Sequence, residues 1–141
     1  MLPNLIYEKI SGDSILNASY GIDETRIFEV QSIDQRPVNN GYFIAINWQE
    51  STDYLNHSFA PRIMTLWVHS PMDTTRDYRQ IDKILNRVDD VLLAIEQESG
   101  NDGTRVTCVL RSGRSGNLID DGWKTIARNA TYRVLYDEKA A

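Results

Sequence analysis

Between Thr74 and Ser99 the apolar residues Tyr78, Ile81, Ile84, Leu85, Val88, Val91, Leu92 and Ile95 step by three and four, so they fall on one stripe of a helix. Arg79, Asp82, Lys83, Arg87, Asp89 and Glu96 occupy the opposite face, which is expected to be wet. Pro71 lies just upstream, Thr74 or Thr75 can cap the first amides, and Gly100 follows the last turn, which marks both ends. A helix of about twenty-two residues rising about 1.5 Å per residue is a rod of roughly 33 Å. Such a rod cannot bury its stripe alone, so the rest of the chain must supply a surface for it.

The flanking segments read as that surface. Arg26 to Ile33 and Tyr42 to Glu50 have the look of two strands of a hairpin: Tyr42, Ile44, Ile46 and Trp48 alternate with Phe43, Ala45 and Asn47, and Pro37, Asn39, Asn40 and Gly41 supply turn residues between them. Ser51 to Pro61 is polar and reads as a long surface loop. Arg62 to Ser70 alternates Met64, Leu66 and Val68 against Ile63, Thr65, Trp67 and His69. After Asn101, Asp102 and Gly103, the segment Thr104 to Arg111 alternates Val106, Cys108 and Leu110 against Arg105, Thr107 and Val109. Ser112 to Gly122 holds three glycines and reads as a long hairpin loop. Trp123 to Tyr136 closes the pattern, with Ile126, Ala130, Tyr132, Val134 and Tyr136 on one side and Trp123, Thr125, Ala127, Thr131, Arg133 and Leu135 on the other. A short helix is expected over about Pro3 to Lys9, with another turn around Ser14 to Ala18. The expected fold is α+β: an antiparallel-rich mixed sheet of about five strands, one long amphipathic helix packed on one face and a short N-terminal helix, all in one domain over residues 1–141.

Composition narrows the chemistry. One cysteine, Cys108, excludes an internal disulfide framework and fits a reducing compartment. No apolar run is long enough to span a membrane and the N-terminus lacks the pattern of a signal peptide, so a soluble protein of the cytoplasm with no membrane partner is expected. Twenty acids against fifteen bases give a net charge of −5 without a basic block, which disfavours a grip on nucleic acid by phosphate neutralisation.

No enzyme signature emerges, and no catalytic, cofactor-binding or metal-ligating set is assigned. His57, His69 and Cys108 match no zinc spacing. Cys108, on the expected buried phase of its strand, would be a poor nucleophile. The run Arg111 to Asn117 could cradle phosphate, but it lacks the strand-to-helix context and the lysine of a nucleotide loop. Asp89/Asp90 and Asp120/Asp121 read as solvated charge. More informative is the sheet face away from the long helix, where Trp67, His69, Arg105, Thr107, Val109, Trp123, Thr131, Arg133 and Leu135 should converge. Aromatics interleaved with arginines have the composition of an interface centre. The other reading is that the N-terminal segments cover this face within the monomer.

A strand reading LWVHS, a polar linker, an amphipathic helix beginning DYRQIDKIL, a further strand, a glycine-containing loop and a last strand reading TYRVLYDE resemble the tail terminator (tail completion) proteins of long-tailed bacteriophages. Tyr78 and Asp82 in the first turns of the helix belong to that likeness, which runs from about Pro61 to Asp137. The resemblance implies a non-enzymatic structural virion protein at the head-proximal end of the tail, assembled in the host cytoplasm. It implies a homo-oligomeric ring, usually a hexamer, that caps the tail tube, stops its growth and offers a docking surface to the head-tail connector. Genomic DNA would pass through the lumen without sequence-specific binding, and an acidic protein suits a passage through which phosphate must slide. On this reading Trp67, His69, Arg105, Thr107, Trp123 and Arg133 are candidates for the subunit interface. Asn56, His57, Arg111, Arg114 and Asn117 are candidates for loops that reach a neighbouring ring. Two alternatives stay open: another head-tail connector or neck subunit, and a dimeric α+β small-molecule-binding domain with a pocket between helix and sheet.

Overall fold

The apolar stripe is laid against a sheet, and the sheet is built around the last strand of the chain. The computed structural model describes residues 3–29, 36–49 and 62–137. In order they form α1 (Leu5–Ser11), α2 (Ser14–Tyr20), a 3-10 turn (Glu24–Arg26), β1 (Ile27–Glu29), β2 (Phe43–Gln49), β3 (Arg62–Pro71), α3 (Arg79–Leu93), β4 (Glu96–Ser99), β5 (Arg105–Arg114), β6 (Leu118–Asp120) and β7 (Thr125–Asp137). The strands join in the order β1-β2-β3-β7-β5-β4, with β6 also on β7. The fold is α+β, with seven strands in place of about five and two short N-terminal helices in place of one. β7 is hydrogen-bonded to β3 along one side and to β5, then β6, along the other.

Ile81, Ile84, Leu85, Val88 and Leu92 of α3 bury against Met64, Leu66 and Val68 of β3 and Ala130, Tyr132 and Val134 of β7. Leu5, Ile6, Ile10 and Leu16 of the two N-terminal helices join the same core. The corner between those helices is held by Asp13, whose carboxylate accepts the Leu16 amide at 3.0 Å and the Arg87 guanidinium at 2.7 and 3.0 Å. A charged cap of this kind anchors α2 to α3. Asp102, in the β4–β5 turn, accepts the Asn4 amide at 3.0 Å, while Glu8 accepts the Asn101 amide at 3.0 Å, so that turn sits on the start of α1.

Several expectations are corrected. The long helix spans fifteen residues, and Glu96–Ser99 is a strand paired with β5. The apolar stripe ends at Ile95, so Glu96 to Ser99 has nothing to bury and its backbone joins the sheet instead. Thr74 and Thr75 lie in the turn after β3, their amides bonded to the Pro71 carbonyl, and Asp77 accepts the Arg79 amide at 2.9 Å at the helix start. β1 and β2 are parallel, with Ile27 opposite Ile44 and Glu29 opposite Ile46, so they are no hairpin. The connection is of the dozen-residue length that a parallel return requires. The run from Ser112 to Gly122 is mostly strand: β5 continues to Arg114 and β6 takes up β7 again at Leu118, which leaves a tight turn at residues 121–124. The loop expected at Ser51 to Pro61 lies outside the described residues.

The largest change of phase is within β5. Two bulges, one between Val106 and Cys108 and one between Arg111 and Gly113, each insert an unpaired residue. After the first, Val109 turns into the core and Cys108 and Leu110 turn away from it, the reverse of the expected faces; Leu110 is 53% exposed. After the second, Arg111 and Arg114 point to the same side although three residues apart, opposite Tyr132 and Ala130. No helix among the described residues is long and apolar enough to cross a membrane.

Candidate functional site

Two polar or aromatic constellations stand out, one on each side of the sheet. The first lies between α3 and β5/β7. Asp82 and Asp89 are two helical turns apart on the edge of the apolar stripe. Asp89 was expected on the wet face but is 7% exposed. Its carboxylate accepts from the Tyr132 hydroxyl, from Arg111 at 2.7 Å and from Arg114. Asp82 accepts from Arg128 at 2.8 Å and Arg114 at 3.3 Å. Burial, reinforced by the Asp89 carboxylate, pushes the Tyr132 hydroxyl far above its ordinary pKa, so it stays a donor. These charges hold α3 in register on the sheet. A signal for them exists in the sequence: Arg128 falls in phase with buried Ile126 and Ala130, and an arginine there requires a carboxylate facing it.

The second constellation is on the opposite face. All three helices pack on one side of the sheet among the described residues, so the N-terminal helices do not cover the other. There Phe28, Phe43, Trp67, His69 and Trp123 gather. The His69 ring stacks on Phe43 with centroids 4.9 Å apart and planes 6° apart, and Trp123 and Trp67 follow at 5.1 and 6.0 Å. His69 is buried, with Nδ1 2.8 Å from the Thr125 hydroxyl oxygen. Burial brings its pKa down to about 4, against a smaller upward pull from Asp120, so it is neutral near pH 7. Trp123 is positioned by the tight turn before β7, where its amide donates to Asp120 at 2.9 Å and its carbonyl accepts from Arg36 at 3.1 Å.

Between these rings is a cleft of about 190 Å³ lined by Ala45, Asn47, Trp67, His69, Asp120 and Trp123. Trp67 and Asp120 also border a second depression of about 370 Å³, shared with Ile119 and Asp121. Among the described residues no lysine or arginine lines either one. Further along the same face, Arg133 is exposed and flanked across the strands by Ile63 and Leu110. Arg105 is exposed and donates to Gln97 at 2.8 Å, and Thr107 is the exposed bulge residue.

Of the interface candidates, the structure thus brings Trp67, His69 and Trp123 into contact and sets Arg105, Thr107 and Arg133 at the far end of the sheet. Val109 leaves the group for the core. Of the ring-loop candidates, Arg111 and Arg114 are in β5 and paired with Asp89, Asn117 is exposed just before β6, and Asn56 and His57 lie outside the described residues. Phe43, Phe28 and Asp120 were missed; the phase shared by Phe43, Ala45 and Asn47 carried the signal for the first. Among the described residues no group of three or more His, Cys, Asp or Glu is arranged to hold a metal ion.

No protein-family model matches the chain, and no curated protein matches it. Among solved structures, a chain of the virion of a native gene transfer agent (GTA) particle is similar, with a TM-score of 0.67 at 11% sequence identity, over 94% of this chain and 91% of that one. At that identity the likeness establishes the fold: an α+β domain with its helices on one face of a mixed sheet.

Proposed function

We propose that this protein is a non-enzymatic structural subunit of a virion, and that it works as a tail terminator. In that role copies of the chain close into a ring at the head-proximal end of the tail tube, stop tube growth and present a docking surface to the head connector. The observation that carries the reading is the sheet face that no helix covers among the described residues, which carries two tryptophans toward one end and the exposed Arg105, Leu110 and Arg133 toward the other, on a small acidic domain. A surface of that composition favours protein contacts. The fold shared with a chain of a virion supports it, as does the resemblance of the segments from Pro61 to Asp137. The net charge of −5 fits a lumen that DNA traverses without being held.

Native mass spectrometry over a concentration series tests the proposal. A closed ring, six copies above all, is the expected result, and assembled tail tube should acquire it at one end. A discrete dimer that neither grows nor binds tube would overturn it.

A further inference from the structure

Resting on the ring reading above, we infer that the joint between neighbouring subunits is a head-to-tail contact in which Arg133 of one copy enters the Trp67–Trp123 cleft of the next. The two halves belong to one sheet face but to opposite ends of it. Asp120, at the cleft, is paired with Thr125 at the start of β7, and Arg133 lies eight residues further along that strand. At about 3.3 Å per residue that is roughly 26 Å to the Asp120 end of the cleft, while Trp67, opposite Asn129, lies four residues or roughly 13 Å from Arg133, so within one subunit the arginine cannot stack on the indole and meet the carboxylate together.

The chemistry of the halves is complementary. The cleft offers the rings of Trp67 and Trp123, a neutral His69 and the Asp120 carboxylate, with no lysine or arginine among the described residues that line it. A planar cation can lie flat on an indole and meet the carboxylate in-plane at once, a geometry that arginine's rigid fork offers and lysine's point charge does not. Arg133 is the arginine suited to this. Arg111, Arg114 and Arg128 are bound to Asp82 and Asp89 on the helix side, and Arg105 is engaged by Gln97. Arg133 is exposed between apolar neighbours, and among the described residues no ion pair neutralises it. Leu110, beside it, is 53% exposed, and Leu118, opposite Ala127 in the depression next to the cleft, is half-buried, so each end also carries an apolar side chain for the other to cover. Used head to tail, two different patches fitted to each other generate a rotationally repeating contact, which is a ring when the rotation closes; used reciprocally they would give a two-fold dimer, which the stoichiometry separates from a ring.

Native mass spectrometry of the full chain and its variants tests the joint. Arg133→Glu keeps the cleft and loses the cation; Trp67→Ala keeps the cation and loses the cleft. Each alone should be monomeric where the wild type is a ring, with thermal melts showing that both are folded. Mixed one to one, they should form a heterodimer and nothing larger, because one intact joint remains between them. Asp120→Asn, which keeps an acceptor for the Trp123 amide, should raise the concentration for half-assembly on the order of tenfold, and Arg133→Lys should fall between the wild type and Arg133→Glu. A wild-type ring that Arg133→Glu leaves unchanged overturns the joint while the ring stands. Failure of the mixture to pair also overturns it. A wild type that is monomeric at every concentration, with or without tube, overturns the ring and the joint together.

Discussion

Asp89 is the single residue whose removal should cost the monomer most. Asp89→Ala leaves Arg114 and the Tyr132 hydroxyl facing each other with no carboxylate between them, and urea denaturation should register a loss of about 3 kcal/mol. Tyr132→Phe, which removes one donor from the same carboxylate, should cost about 1 kcal/mol. A result in which the two substitutions cost the same would mean that the arginines find other partners. His69 sets a pH dependence of its own. Its folded-state pKa of about 4 lies below the ordinary value of 6.5, so between those limits the unfolded chain binds the extra proton. Stability conferred by the neutral ring is therefore fully present above pH 6.5 and is lost as the pH falls toward 4, by about 3 kcal/mol. His69→Gln should flatten that part of the profile in denaturation measured from pH 7.5 to 4. At this scale the sequence was uneven. Alternation placed Trp67, His69, Trp123 and Arg133 on one face, but helical periodicity put Asp89 in water, because a stripe's edge has no sharp boundary and only the arginines opposite decide which side an acid belongs to.

Among the elements, the β4–β5 turn and β5 itself show where pattern reading stops. Gly100 lies so close to α1 that a Cβ there would stand 2.8 Å from the Leu5 amide nitrogen and 2.9 Å from the Glu8 carboxylate. Gly100→Ala should therefore loosen the turn from the helix and lower the midpoint of urea denaturation, by the equivalent of about 1–3 kcal/mol. Gly116, whose Cβ would meet nothing within 4 Å, should accept alanine within about 0.5 kcal/mol. Equal effects at the two glycines would dissociate the turn from α1. The helix stripe, the strands β2, β3 and β7 and their inward faces were legible because each keeps one period from end to end. β5 does not: an inserted residue at each bulge resets its parity, and nothing in Arg105 to Arg114 announces where. The β1–β2 pair was misread for a different reason, since turn residues in the connection are as compatible with a return to the same end of the sheet as with a hairpin.

For the whole molecule, the division into a helical face and one that no helix covers among the described residues would make the proposed assembly one-sided. Hydrogen exchange followed through ring formation should gain protection at the turn of residues 121–124, in β6 and around Arg133, while α1, α2 and the solvent side of α3 exchange as in the monomer. Protection appearing on the helices instead would move the contact to the other face. The position of β7 in the chain has a consequence for synthesis as well. The strand that every long strand of the sheet leans on, directly or through one neighbour, is made after all the other elements among the described residues. Until β7 is made, β3 and β5 have no common partner and the core under α3 has no floor, so the domain cannot pack before that strand emerges. A chain stopped before Thr125 should show no near-UV circular dichroism of a packed core. On the proposed joint, Trp67 is supplied early and Arg133 late, so only a chain extended past Arg133 would own both halves of the contact, and products truncated before it would lack the cation the cleft takes.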